Sequence, residues 1–325
     1  MRCEIGGYLE LECFSGPMLH EGDIALNCGR ACLEYLVELR DIRTIWLPDF
    51  LCSSVPDLCR RVGVEAKTYH VGKDFGPIYD FEIGGHEWLY LVDYYGQLAQ
   101  SDVTEALDAS DGRLIVDESQ GYFRVPWKSA DTLYTCRKWF GVADGAFLHT
   151  REGATLGRNL PRSESFDKME FMLGRFERTA GEFFAESKTN NARFADEPMA
   201  KMSALTENLL HAVDYSAAKE RRLANWAVLD SALGSSNHLT LAAPEVPFMY
   251  PYMVDDAGGV RGRMAAEGVF IPTLWPNVPG DPSAGSAAIN FSNNILPLPV
   301  DQRYGADDMK RVLEVLDGSK GLKND

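Results

Sequence analysis

Between Asp41 and Thr150, short apolar runs alternate with helical stretches, and this alternation limits the chain to few folds. Arg43 to Leu47 reads as a strand, and Val55 to Val62 as a helix with Leu58 and Cys59 inward. Glu65 to Val71 and Trp88 to Val92 read as further strands. After the polar stretch Ser101 to Ser110 comes Leu114 to Val116, a short buried strand bounded by Gly112 and Asp117. Thr132 to Cys136 and Ala146 to His149 read as two more. Strands separated by helices predict an α/β fold with a mainly parallel sheet covered on both faces. Ligands of such sheets bind beyond the carboxyl ends of the strands.

Beyond Arg151 the pattern changes. Ser165 to Lys188 and Met202 to Leu233 are long, charged and amphipathic, with Leu205, Leu209 and Val213 marking one helical face. Short strands are predicted at Leu239 to Ala242 and Phe248 to Val254, and helices at Gly259 to Glu267 and Ala306 to Leu316. The tail from Gly318 to Asp325 is expected to fray. These features divide the chain into a large domain over residues 1–190 and a smaller C-terminal α+β domain over 191–325, which includes the connecting helix.

A formal net charge of −16 argues against a nucleic-acid partner, whose phosphates require a basic surface. It leaves room for a small anion held at a local positive site. Seven cysteines without a CxxC pair read as reduced thiols, with no metal-ligand spacing. No signal peptide or membrane-length apolar run is visible, so a soluble, cytoplasmic protein is expected.

Chemistry-bearing residues gather at three places along the predicted sheet. Gly29-Arg30-Ala31 opens a helix running to about Arg40. A helix start with Gly lets backbone N–H groups approach a phosphate, and Arg30 could add a charged fork; a plain cap with an exposed arginine is the alternative. Asp117 ends a buried strand, where a carboxylate is costly unless paired. A protonated pyridine nitrogen would be such a partner, with Gln120 reaching the ring's phenolic oxygen; a helix cap and a surface amide are the alternatives. Lys138 follows the strand Thr132 to Cys136, beside Trp139 and Phe140. Apolar neighbours there would desolvate its amine and make it a nucleophile. Thr135 offers a hydroxyl to a phosphate oxygen. Helix-start Gly, strand-end Asp and strand-end Lys, in that order, are what a fold type I pyridoxal 5′-phosphate enzyme requires.

With these residues in view, the chain resembles the DegT/DnrJ/EryC1/StrS family of pyridoxal-phosphate-dependent sugar aminotransferases. Trp46 to Ser53 resembles the segment passing over the cofactor face, which brings in Cys52. Val92 to Gly96 resembles a strand-end motif, Lys201-Met202-Ser203 the stretch reaching across a dimer interface, and Leu298 to Tyr304 the C-terminal signature. The resemblance implies a seven-stranded sheet flanked by helices. It implies Lys138 as Schiff-base lysine and proton shuttle, Asp117 on the ring nitrogen, and Gln120 near the ring oxygen. It places Gly29, Arg30, Ala31 and Thr135 around the phosphate, with Lys201 contributed by the second subunit of a homodimer with shared active sites. Transfer from an amino acid, glutamate by family habit, to a nucleotide-linked keto-sugar is the implied reaction. A non-sugar ketone as acceptor, or a non-catalytic pyridoxal-phosphate-binding scaffold, are the alternatives. Most members carry a small hydroxyl residue where Arg30 stands, and a Ser, farther from the lysine, where Thr135 stands.

Overall fold

The computed structural model describes residues 5–321. Its first half runs β1 (Ile24–Leu26), α1 (Gly29–Arg40), β2 (Thr44–Pro48), α2 (Ser54–Val62), β3 (Glu65–Tyr69), β4 (Trp88–Val92), α3 (Gln100–Ala109), β5 (Leu114–Asp117), β6 (Asp131–Thr135) and β7 (Ala146–His149). These strands form one sheet in the order β1-β7-β6-β5-β4-β2-β3. All run parallel except β7, which pairs antiparallel with both β6 and β1. β4 and β5 lie mid-sheet and every one of their residues is buried, as expected for strands covered on both faces. β3 forms an edge, and Glu65, Ala66 and Thr68 are exposed there.

The second half contains α4 (Glu170–Glu177), α5 (Phe184–Arg193), α6 (Ala204–Leu210), α7 (Tyr215–Leu233), β8 (Met249–Met253), α8 (Ala257–Ala266), α9 (Ser286–Asn294), β9 (Ile295–Pro299) and α10 (Ala306–Gly321). β8 and β9 pair antiparallel, and Trp226, Leu229, Tyr250, Leu296 and Met309 form a core of their own around them. The position 190/191 falls inside α5.

Two long predicted helices are each broken. Ser165 to Lys188 becomes a 3₁₀ turn, α4 and the start of α5, because Arg178 is extended and ends the first helix. Met202 to Leu233 becomes α6 and α7, each with its own cap: the Ser203 side chain accepts from Thr206 N, and Asp214 from Ala217 N. The predicted strand Leu239 to Ala242 is irregular. Ala242 gives its N–H and C=O to the Gln97 side chain instead of a neighbouring strand. The polar stretch 101–110 is largely helix α3, its start held by Ala99 N donating to Asp102. The tail expected to fray lies partly outside the described residues, and Gly318 to Gly321 belong to α10. Among the described residues no helix is long and apolar enough to cross a membrane.

Candidate active site

The first turn of α1, the end of β5 and the end of β6 converge on the carboxyl edge of the sheet. α1 opens after Cys28 with no side-chain cap, so the N–H groups of its first turn face outward. Gly29 meets Thr135 there: a Cβ added to Gly29 would lie 2.6 Å from Thr135 Cγ2. The Thr135 hydroxyl is buried and has no hydrogen-bond partner among the described residues. An orphaned hydroxyl beside an uncapped helix start suits a phosphate oxygen. The close approach predicts that Gly29→Ala destabilises the protein by about 1–3 kcal/mol, the usual cost of overpacking. Thr135→Ser removes the clashing methyl, so the double variant should recover most of that loss in urea unfolding. Equal losses in the single and double variants would refute the contact.

Asp117 is buried, as a carboxylate with defined partners. Its Oδ2 accepts from the Tyr90 hydroxyl at 2.7 Å, and its Oδ1 from Ser119 N at 2.8 Å. Sequence reading missed Tyr90, which sits on the neighbouring strand and has no local signal. Gln120 is also buried; its Oε1 accepts from Tyr95 N at 2.9 Å, leaving the amide Nε2 as the remaining donor. Tyr95 holds a left-handed conformation (φ 58°) at that bond, a strain that a side chain locked onto its N–H helps maintain.

Lys138 ends a 3₁₀ turn directly after β6 and is exposed, without a hydrogen bond or ion pair among the described residues. This corrects the expectation of an amine desolvated by apolar neighbours. Trp139 and Phe140 turn inward, and the turn points the lysine out. Trp139 is what fixes this loop. Its indole N–H donates to Ser119 O at 3.0 Å, and its carbonyl accepts from Gln302 Nε2 at 2.8 Å. The Arg222 guanidinium covers its ring at 4.3 Å. Arg222 is fully buried, donates to Gln302 and to the Pro247 and Phe248 carbonyls, and is brought down to about 10 by burial. One aromatic residue therefore ties the lysine loop to the Asp117–Gln120 loop and to the second half of the chain.

The other predicted residues are placed less directly. Arg30 sends Nη2 toward the Asn191 carbonyl of α5 at 3.4 Å and lines a groove of about 570 Å³ with Ser53, Ser54 and Lys188. Ala31 is buried in the first turn of α1. Cys52 is half-buried between β2 and α2, its thiol 2.9 Å from the Ser54 hydroxyl. Lys201 is exposed and lies along the outer edge of β1. Its N–H donates to Pro161 O and its C=O accepts from Ser163 N, while the neighbouring Met202 N donates to Ala25 O.

Behind Asp117 lies a pair of carboxyl groups that sequence reading did not find. Asp93 and Glu118 are both fully buried, and Asp93 Oδ2 and Glu118 Oε2 meet no hydrogen-bond donor among the described residues, so a proton shared between the two carboxyl groups would satisfy both. Leu98 N donates to Asp93 Oδ1 at 2.8 Å, and the Trp127 indole to Glu118 Oε1 at 2.6 Å. Arg124 Nε stands 3.5 Å from Asp93 and 3.8 Å from Glu118. Gly121 leaves room for both acids; a Cβ there would fall 1.9 Å from Glu118 Oε2. Burial foremost, then the Asp93 charge, pushes the Glu118 carboxyl well up. A folded value above the unfolded one means that this group favours folding fully below the ordinary carboxylate range, and that the benefit is lost as pH rises above it. Glu118→Gln keeps a donor toward Asp93 without a titrating proton. The variant is expected to gain on the wild type as pH rises from 5 to 8, by an amount on the order of the 1–3 kcal/mol an unsatisfied buried polar group costs. Parallel pH–stability curves would refute this.

No family model matches the sequence, and no curated protein matches it. Solved structures do. DesV of S. venezuelae, in complex with a ketimine intermediate, superposes with a TM-score of 0.63 over 97% of this chain and 92% of that one, at 15% identity. A DegT DnrJ EryC1 StrS aminotransferase from Brucella abortus gives 0.62 over 94% and 91%, also at 15%. The sugar aminotransferase CalS13 of Micromonospora echinospora gives 0.63 over 91% and 88%, at 14%. The chain has their fold. The expected α/β architecture, a seven-stranded mainly parallel sheet followed by a smaller α+β part, is the one observed. At these identities the likeness is one of fold alone, and this chain's own residues must supply the argument for a site and its chemistry.

Proposed function

We propose that this chain is a pyridoxal-phosphate-dependent aminotransferase that moves an amino group from an amino acid, glutamate, to a keto-sugar, nucleotide-linked. The observation that carries the reading is the orphaned Thr135 hydroxyl beside the uncapped start of α1, with Asp117 and Lys138 at the ends of the adjoining strands. The residues present fit the cofactor. The first turn of α1 and Thr135 would hold the phosphate, Asp117 the ring nitrogen, and Gln120 Nε2 the phenolic oxygen. Cys52, from the segment after β2, would cover the ring face. When bound, pyridoxal phosphate supplies the electron sink that lets an amine change owners. Lys138 would carry out the protein's part: its exposed amine would anchor the cofactor and, once displaced by the donor, would move a proton from the donor's α-carbon to the cofactor within that half-reaction, and run the same transfer in reverse toward the acceptor's carbon in the other.

A homodimer with shared sites is part of the proposal. Leu173, Phe176 and Phe184 are well exposed on α4 and α5, and Phe176 is 94% exposed, which an apolar side chain tolerates best against a second copy. Lys201, on the outer edge of β1, would reach the neighbour's phosphate. The protein would act on small molecules in the cytoplasm.

The test is spectroscopic. The purified full chain with added pyridoxal phosphate should show the visible band of a lysine-bound cofactor and lose it on adding glutamate. A screen of keto-sugars against keto-acids should then find the acceptor among the sugars. A protein that stays colourless would overturn the reading, and acceptance of keto-acids alone would overturn its sugar half.

A further inference from the structure

In a chain with net charge −16, three arginines crowd the start of α1, and among the described residues only Arg193 has a carboxylate within ion-pair reach. Arg137 follows Thr135 by two residues. Its guanidinium lies 4.3 Å over the Phe194 ring and donates to the Asn191 side-chain carbonyl. Arg193, the last residue of α5, stacks on the same ring at 4.7 Å. Its Nε, Nη1 and Nη2 are all buried and none makes a hydrogen bond among the described residues; Glu197, 3.2 Å from Nε, is not aligned for one. Arg30 reaches the Asn191 carbonyl from the other side. Arg30 and Arg137 form no ion pair among the described residues.

The nearby acid cannot serve them. Asp144 already accepts from Ser203 N at 3.0 Å, from the Ser203 hydroxyl at 2.7 Å and from the Thr206 hydroxyl. Burial foremost, then the like charges of Arg193 and Arg30, brings the Arg137 guanidinium down to about 10 against the opposing pull of Cys28 and Asp144. Crowded guanidinium groups with unused N–H donors are costly until an oxyanion joins them. The stack on Phe194 fixes their planes, so little side-chain freedom remains to be lost when a tetrahedral oxyanion is gripped at two points. Arg30 and Arg137 both act on Cys28 at the start of α1, where the uncapped first turn and Thr135, packed against Gly29, offer neutral donors.

We propose that Arg137 and Arg30, backed by Arg193, form a guanidinium cup for a phosphate-monoester dianion, the 5′-phosphate of the cofactor proposed above. The inference rests on that reading and adds residues to it. Arg137 and Arg193 are ligands the sequence did not disclose, and the charge they bring compensates for a chain otherwise repellent to dianions.

The experiment compares pyridoxal phosphate with pyridoxal, which lacks the phosphate, by absorbance titration of the full chain. The wild type should prefer the phosphorylated form strongly. Arg137→Gln should cut that preference about 10- to 100-fold, the worth of a charged hydrogen bond, while pyridoxal affinity stays unchanged. Arg137→Lys, which keeps the charge and loses the fork, should fall between. Circular dichroism and the pyridoxal arm report folding of each variant. Inorganic phosphate is the second probe: it should raise the melting temperature of the wild type and leave that of Arg137→Gln unmoved. An unchanged preference in Arg137→Gln and Arg30→Gln overturns the cup while leaving the cofactor reading intact. Arg137-dependent stabilisation by phosphate in a protein that never colours would keep the cup and remove the cofactor. Wild-type protein indifferent to phosphate overturns the cup.

Discussion

Replacing Lys138 with alanine is expected to lower amino-transfer turnover by about 10⁴-fold, the upper end of what positioned acid–base groups contribute, with little change in melting temperature. Stability should hold because the side chain is exposed and makes no hydrogen bond or ion pair among the described residues, so its loss removes only solvated atoms. The loop should keep its shape, since Trp139 is held by Ser119, Gln302 and Arg222 and none of these contacts involves the lysine. Lys138→Arg should be as inactive as the alanine variant, because a guanidinium keeps its proton at neutral pH and cannot shuttle one. The measurement is steady-state turnover with glutamate beside a thermal melt. Wild-type turnover in the alanine variant would remove Lys138 from the chemistry, and a collapsed melt would show a structural role instead.

What could be read in advance depended on how local each determinant is. The strands from Thr44 to His149 are bounded to within two residues by their own apolar runs, since each run carries its burial in its sequence. The long helices failed because amphipathic spacing continues across Arg178 and across the caps at Ser203 and Asp214, and periodicity does not register a cap that stops a helix. Leu239 to Ala242 has strand composition but no strand beside it, and pairing is a tertiary fact. Among the candidate site residues, Gly29, Asp117, Gln120 and Lys138 stand at or beside the element ends where the sequence placed them. The exposure of Lys138 was not legible, because the turn after β6 decides which of three adjacent side chains points inward. Tyr90, Arg137 and Arg222 were invisible for a related reason. Their partners Asp117, Asn191 and Gln302 lie 27, 54 and 80 residues away along the chain.

Asp117→Asn is expected to cost about 150- to 5,000-fold in turnover, which follows from the 3–5 kcal/mol typical when one member of a buried charge pair is removed. The substitution is suited to isolating charge from shape. Asparagine keeps an Oδ1 to accept from Ser119 N and an Nδ2 to face the Tyr90 hydroxyl, which can rotate to accept from it. The loop carrying Gln120 should therefore stay in place, and the loss should appear in turnover more than in cofactor affinity. A carboxylate at this position would keep a pyridine nitrogen protonated; an amide cannot. Tyr90→Phe is the companion: it leaves the charge, removes one of its two donors, and should cost only about 1 kcal/mol, or several-fold in rate. If the Asn and Phe variants lost activity equally, Asp117 would be acting as a structural acceptor for Tyr90. If the Asn variant alone collapsed in turnover while retaining a wild-type melt, the negative charge itself would be what the reaction uses.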